Sequence, residues 1–137
     1  MKIILPLSVT LPRKKGDKIW ICNLNNYRNT HFQVLNQVKI AYALKVKEAV
    51  KGMTMKGDLL IFQYMIFPSS KRSFDLSNVC SVIDKFTCDA LITEGIIKDD
   101  NYKNIKEVIY RFGEIDKENP RCELIIYEPI IRQEGKK

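Results

Sequence analysis

Residues 59–67 read Leu59-Leu60-Ile61-Phe62-Gln63-Tyr64-Met65-Ile66-Phe67, and only Gln63 is polar. A run this short with no polar alternate has no solvated face, so it predicts a strand buried on both sides at the centre of a sheet. Pro68, Ser69 and Ser70 close it. The basic loop Lys71-Arg72-Ser73-Phe74-Asp75 then ends in an acid. From Ser77 to Glu94 the period changes. Val79, Val82, Ile83, Phe86 and Ala90 recur at helical spacing, which predicts one buried helical face stopped by Gly95.

Outward from this unit, Ile3, Leu5, Leu7, Val9 and Leu11 alternate and read as one strand with a single buried face. Arg13-Lys14-Lys15-Gly16-Asp17 is a basic turn, Ile19-Trp20-Ile21 a second short strand, and Asn23 to Asn29 a polar loop. Asn29 or Thr30 is placed to cap a long helix reaching about Lys51, with Phe32, Leu35, Val38, Tyr42, Val46 and Ala49 as its buried stripe and Gly52 beyond its end. Ile105 to Phe112 and Cys122 to Tyr127 read as strands joined into a hairpin by the polar segment Gly113 to Pro120. The polar tail after Pro129 is expected to fray. The expected fold is α+β, roughly ββαβαββ, with a mixed or antiparallel sheet and two main helices in a single domain of residues 1–137.

Composition narrows the function classes. No apolar run approaches the roughly 20 residues that cross a bilayer, and Pro6 and Ser8 interrupt an N-terminal segment that lacks a signal-peptide cleavage site. A cytoplasmic protein is expected. Cys22, Cys80, Cys88 and Cys122 lack Cys-x-x-Cys spacing and His31 has no partner at ligand spacing, so buried free thiols are expected rather than zinc. The net charge of +7 is divided unevenly: residues 1–57 hold eleven Lys and Arg against two acids, residues 58–137 twelve against fourteen. Cations for phosphate beside carboxylates for a metal fit a polyanion-binding protein. An AT-rich genome would also give this lysine excess.

The chemistry-bearing residues follow the central strand. Asp75 ends the loop that leads into the helix, Lys85 and Asp89 are four apart on one helical face, and Asp99 and Asp100 follow Gly95. Carboxylates gathered from a helix entrance and a following loop suit Mg²⁺, a hard cation that prefers oxygen ligands and assists phosphodiester hydrolysis. Each also has a structural reading: Asp75 or Ser77 as a helix cap, Lys85 and Asp89 as a surface pair, Asp99-Asp100-Asn101 as a turn.

Taken in order, Asp75-Leu76-Ser77-Asn78, then Lys85 four residues before Asp89-Ala90-Leu91, then Gly95 and Asp99-Asp100, this stretch resembles the signature of the RusA family of Holliday-junction resolvases. The resemblance spans nearly the whole chain, although only residues 74–101 are specific. It implies a phage-type, Mg²⁺-dependent endodeoxyribonuclease that resolves four-way DNA junctions as a homodimer in a bacterial cytoplasm. Asp75 and Asp100 match metal-binding aspartates, with Asp99 beside the latter; Lys85 matches the catalytic lysine, Asp89 the helix aspartate and Asn78 the end of the first motif. Arg13, Lys14, Lys15, Arg28, Lys71 and Arg72 would hold DNA phosphates, and Tyr27 and Phe74 would either wedge against unstacked bases or pack inside.

Two departures stand out. Four extra residues separate Asn78 from Lys85, about one helical turn or 6 Å. Ser77 occupies the place of the second metal-binding aspartate and brings a hydroxyl without charge, which weakens a metal site. Asp84, seven residues on, would lie about 10 Å along the helix and is not expected to replace it, so the candidates to complete the metal shell are the Ser77 hydroxyl, Asp89 and Asp99. The competing expectation is a relative that binds branched DNA, or inhibits a host nucleic-acid machine, without cutting. A small globular protein without a nucleic-acid role is the third.

Overall fold

The computed structural model describes residues 1–130. In chain order the elements are β1 (Lys2–Leu5), β2 (Ser8–Leu11), β3 (Lys18–Ile21), α1 (Leu24–Asn29), α2 (Phe32–Ala49), β4 (Leu60–Phe67), α3 (Leu76–Thr93), β5 (Ile105–Phe112) and β6 (Arg121–Tyr127). The fold is α+β with a mixed four-stranded sheet in the order β1-β6-β4-β5 and a separate β2-β3 hairpin. As its composition requires, β4 is interior: β5 pairs with it in parallel and β6 antiparallel. Phe62, Tyr64 and Ile66 are buried on the side that faces α3, and Ile61 and Phe67 are buried on the other.

Helix α3 is the second organising element. Its Phe86 ring lies 5.9 Å from Trp20 of β3, 6.0 Å from Tyr27 of α1 and 5.5 Å from Tyr42 of α2, so one aromatic side chain joins four elements. Val38, Tyr42 and Val46 supply the buried stripe of α2, and the Tyr42 hydroxyl donates to the Pro6 carbonyl at 3.0 Å. Tyr27 thus packs inside. Cys22, Cys80, Cys88 and Cys122 are all buried and free, and burial pushes the Cys22 and Cys80 thiols up to about 12. Among the described residues no helix is long and apolar enough to cross a membrane.

Four expectations are corrected. The alternating N-terminal run is two strands. Pro6, which has no N–H to donate, separates β1, paired with β6, from β2, paired with β3. Residues 23–29 form α1 rather than a loop, because Asn23 accepts from the Asn26 amide at 2.8 Å and so caps a helix that its asparagines disguise. Helix α2 is capped by His31, whose ring nitrogen accepts from the Gln33 amide at 3.2 Å; Thr30 instead takes the Trp20 indole N–H at 2.9 Å, and Phe32 is 65% exposed.

The fourth correction concerns the C-terminal strands, which are not a hairpin: β5 and β6 flank β4 on opposite sides. The connection crosses the end of β4, held by Gly113 N–H to the Ile66 carbonyl and Asp116 N–H to the Pro68 carbonyl, both at 2.8 Å. A Cβ at Gly113 would stand 2.8 Å from the Phe67 ring, so the crossing requires glycine. The burial of each strand follows: β6 is interior, with Cys122, Leu124 and Ile126 fully buried, whereas β5 is an edge. Residues 131–137, the tail expected to fray, lie outside the described residues.

Phe62 is fully buried and Ile19 is 65% exposed. In urea denaturation, Phe62→Ala should lose about 3–5 kcal/mol of stability, while Ile19→Ala should change it by less than about 0.5 kcal/mol.

Candidate functional site

The acids and the lysine singled out in the sequence, Asp75, Lys85, Asp89, Asp99 and Asp100, lie on α3 or at its two ends. Asp75 occupies the N-cap position with extended backbone (φ −86°, ψ 128°), yet its exposed side chain makes no capping hydrogen bond. An N-cap carboxylate that does not satisfy its own helix is free to meet a ligand. It borders an open groove of about 580 Å³ whose polar lining includes Asn23, Asn25, Ser70, Arg72 and Asn78. Asn78 has a structural task there: its side-chain oxygen accepts the Leu24 N–H at 3.0 Å and so pins the start of α1 to α3.

The cations expected to hold phosphate are distributed around this end and beyond it. Lys71 and Arg72 are exposed in the loop before α3 and flank Phe74, whose ring lies 6.4 Å from Phe112. Arg28 is exposed in the last turn of α1. Arg13, Lys14 and Lys15 are exposed in the β2-β3 turn, where the Arg13 guanidinium donates to the Gln37 side chain of α2 at 3.0 Å.

Midway along α3, Lys85 and Asp89 are both exposed. The ion pairs among the described residues join Lys2 to Glu123, Lys98 to Asp58, and Arg121 to Asp116 and Glu123; Lys85 and Asp89 belong to none of them. Asp89 turns toward α2, where it lines a shallow depression with Lys39 and Ile40.

The side chain that sequence reasoning set aside is Asp84. It is half-buried under the sheet, where it accepts from the Tyr64 hydroxyl at 2.6 Å, the Cys88 thiol at 3.2 Å and the Tyr110 hydroxyl at 3.4 Å. Burial, and then the charge of Asp84, keep the Tyr110 hydroxyl and the Cys88 thiol protonated well above their ordinary ranges. Seven residues are nearly two full turns, so Asp84 and Ser77 share one face of α3. That interval was the available signal, together with a tyrosine in a central strand whose only other polar residue is Gln63.

Past the helix, Gly95 turns the chain at φ +73°. Asp99 folds the following segment locally, since its carboxylate accepts from the Asp100 amide at 2.7 Å and the Asn101 side chain at 3.0 Å. The turn expected here is therefore present. Partial desolvation, contact with Asp99 and the neighbouring charges of Asp99 and Asp89 raise the Asp100 carboxyl above the ordinary range, and Asp100 in turn acts on Cys88.

The structure thus brings Asp89, Asp99 and Asp100 into one electrostatic neighbourhood and leaves Asp75 apart. Thirteen helical residues from Asp75 to Cys88 correspond to about 20 Å. Among the described residues, no three His, Cys, Asp or Glu side chains converge as a metal-holding group. No family model and no curated protein matches this chain.

A carboxyl whose folded pKa stands above its unfolded value contributes stability that is full below the unfolded value and lost as pH rises through the folded one. Asp100, raised from 3.8, belongs to this class. Thermal melts of wild type and Asp100→Asn should therefore coincide in acid and diverge above it, the variant becoming the more stable as pH rises. Tyr64→Phe removes the shortest donor to Asp84 and should cost about 1–3 kcal/mol in urea denaturation.

Proposed function

We propose that this chain is a RusA-like, Mg²⁺-dependent endodeoxyribonuclease that acts on four-way DNA junctions in the cytoplasm of a bacterial host. The observation that carries the reading is the free Asp75 carboxylate at the mouth of a polar groove, with Arg72 at its rim and Lys71 beside it. A carboxylate and a guanidinium facing one groove suit a phosphodiester: Arg72 would donate to its oxygens, and Asp75 would hold a cation that offsets its charge. The order of Asp75, Lys85 and Asp99-Asp100 along one helix and its exit supports the same reading.

The donor set fits Mg²⁺ in the manner of sites that use one or two carboxylates and complete the shell with water and substrate phosphate. Asp75 would hold the ion at the groove, and Asp100, with Asp99 and Asp89 near it, would offer a second position farther along the strand. When bound, the metal would supply a more acidic water and neutralise charge that develops on phosphate. Arg72 and Lys71 orient the backbone there, and Lys85, exposed on α3 and in no ion pair among the described residues, offers its charge to the scissile region. Arg13, Lys14, Lys15 and Arg28 extend the positive surface.

A second reading, binding of branched DNA without cutting, is favoured by two specific features. Ser77 brings no charge to the first motif, and about 20 Å of helix separates Asp75 from the neighbourhood of Asp100.

A synthetic four-way junction incubated with Mg²⁺ separates the readings. For a nuclease, wild type should give paired nicks, and Asp75→Asn, Asp100→Asn and Lys85→Ala should each lower the rate at least about a hundredfold. Junction binding without nicks, with cutting gained only in Ser77→Asp, would establish the second reading. Replacing both Lys71 and Arg72 with alanine should weaken binding and flatten its log-log salt dependence by roughly two units.

A further inference from the structure

Away from the Asp75 groove, α2 and α3 lie side by side, run in the same direction and leave a furrow between their outer faces. Ile40, Ala43, Ala90 and Thr93 line one depression of about 250 Å³, with the buried Phe86 at its floor. Farther along, Leu44, Met53 and Ile96 line another of about 500 Å³. Small residues on facing helices open the first: Ala43 and Ala90 leave room that larger side chains would fill. Ile40 and Leu44, one turn apart on α2, stand 63% and 61% exposed along the furrow. The core does not use them, since the stripe that α2 buries is Val38, Tyr42 and Val46.

Charge narrows what can cover this furrow. Lys39, Lys47 and Lys51 border it from α2 and the turn after it, Asp89 and Glu94 from α3, and only Glu48 breaks the division. None of the six belongs to an ion pair among the described residues. Three cations against three anions make a neutral surface on a chain of net charge +7, which does not suit a polyanion. Both walls are helices whose backbone groups already bond to one another, so an extended segment finds no ladder to join. A helix arrives with its own backbone satisfied and offers a seam of side chains instead.

We infer that the furrow between α2 and α3 docks an amphipathic helix of another protein, its apolar seam over Ala43 and Ala90, its flanks acidic toward α2 and basic toward α3. The length suits about three turns. Ile40 to Ala49 covers about 14 Å of α2 and the furrow continues to Met53, while a seam at i, i+4, i+7 and i+11 covers about 17 Å. The inference stands apart from the nucleic-acid reading, since Asp75, Lys85 and Asp100 line neither depression.

The probe is a synthetic, fluorescein-labelled helix of about sixteen residues, with leucine at those four positions, glutamate along one flank and lysine along the other. Its seam reads alike in both directions, so one peptide tests either orientation. Fluorescence anisotropy with the whole chain, without DNA or metal, should give a Kd on the order of 10 μM or tighter. Leu44→Asp, at an exposed position, and Ala43→Phe, which fills the first depression, should each weaken binding about tenfold or more. Lys47→Glu should lower the affinity about two- to fivefold for this probe and raise it for one with lysine on both flanks. Far-UV circular dichroism verifies that each variant is folded. A probe that does not bind, or that binds Leu44→Asp and Ala43→Phe as tightly as wild type, overturns the proposal. So does sedimentation in which Leu44→Asp dissolves a dimer of the chain, which gives the face to a second copy, or loss of DNA-junction binding in Leu44→Asp, which gives it to nucleic acid.

Discussion

The packing of Phe86 is the constraint on which the rest of the molecule depends. Its ring contacts Trp20, Tyr27 and Tyr42, so the β2-β3 hairpin, α1 and α2 are all registered on one residue of α3. The opposite side of the same helix is held to the sheet through Asp84 and the hydroxyls of Tyr64 and Tyr110. With two faces committed, what α3 can offer to solvent is fixed: Asp75 at its start, then the strip through Lys85 and Asp89, then the turn at Asp99 and Asp100. The groove at Asp75 exists because Asn78 anchors α1 alongside α3 while the loop 68–75 closes the other bank.

Along this helix the polar side chains divide between surface and interior. Ser77 is neutral and exposed, and Asp84, two turns along the same face, is a carboxylate turned under the sheet. A half-buried carboxylate without a cation is sustained only by donors, and the two tyrosine hydroxyls and the Cys88 thiol supply them. Its work is structural, tying α3 to β4 and β5. The exposed chemistry is left to Asp75 at one end and to Asp100 at the other.

Much of this was legible from pattern alone. The apolar run of β4, interrupted only by Gln63, the helical period of α3 and the glycine stop at Gly95 needed no tertiary information, because each element states its own burial. The errors arose where a neighbour decides the outcome. Alternation from Ile3 to Leu11 continues through Pro6 and so hides a change of sheet partner. The connection Gly113–Pro120 is short enough for a hairpin, and only the strand order, with the hydrogen bonds from Gly113 and Asp116 to the end of β4, shows that it crosses over β4. For the site, sequence placed Asp75, Lys85 and Asp99-Asp100 in the right order around α3, but order along a helix is not convergence. Asp84 was set aside by its distance along the axis, when the angular coincidence of seven residues was the informative quantity.

The proposed function puts nucleic acid at the Asp75 groove. The most direct measurement is mapping of backbone amide shifts by NMR during titration of a four-way DNA junction, with Ca²⁺ in place of Mg²⁺ to suppress cutting. The account predicts that the largest changes fall on Asn25, Ser70, Arg72, Asp75 and Asn78, extend along α3 toward Lys85 and Asp100, and shrink when Asp75 is replaced by Asn. Changes centred instead on the outer face of α2, around Ile40 and Leu44, or unaltered by Asp75→Asn, would contradict it.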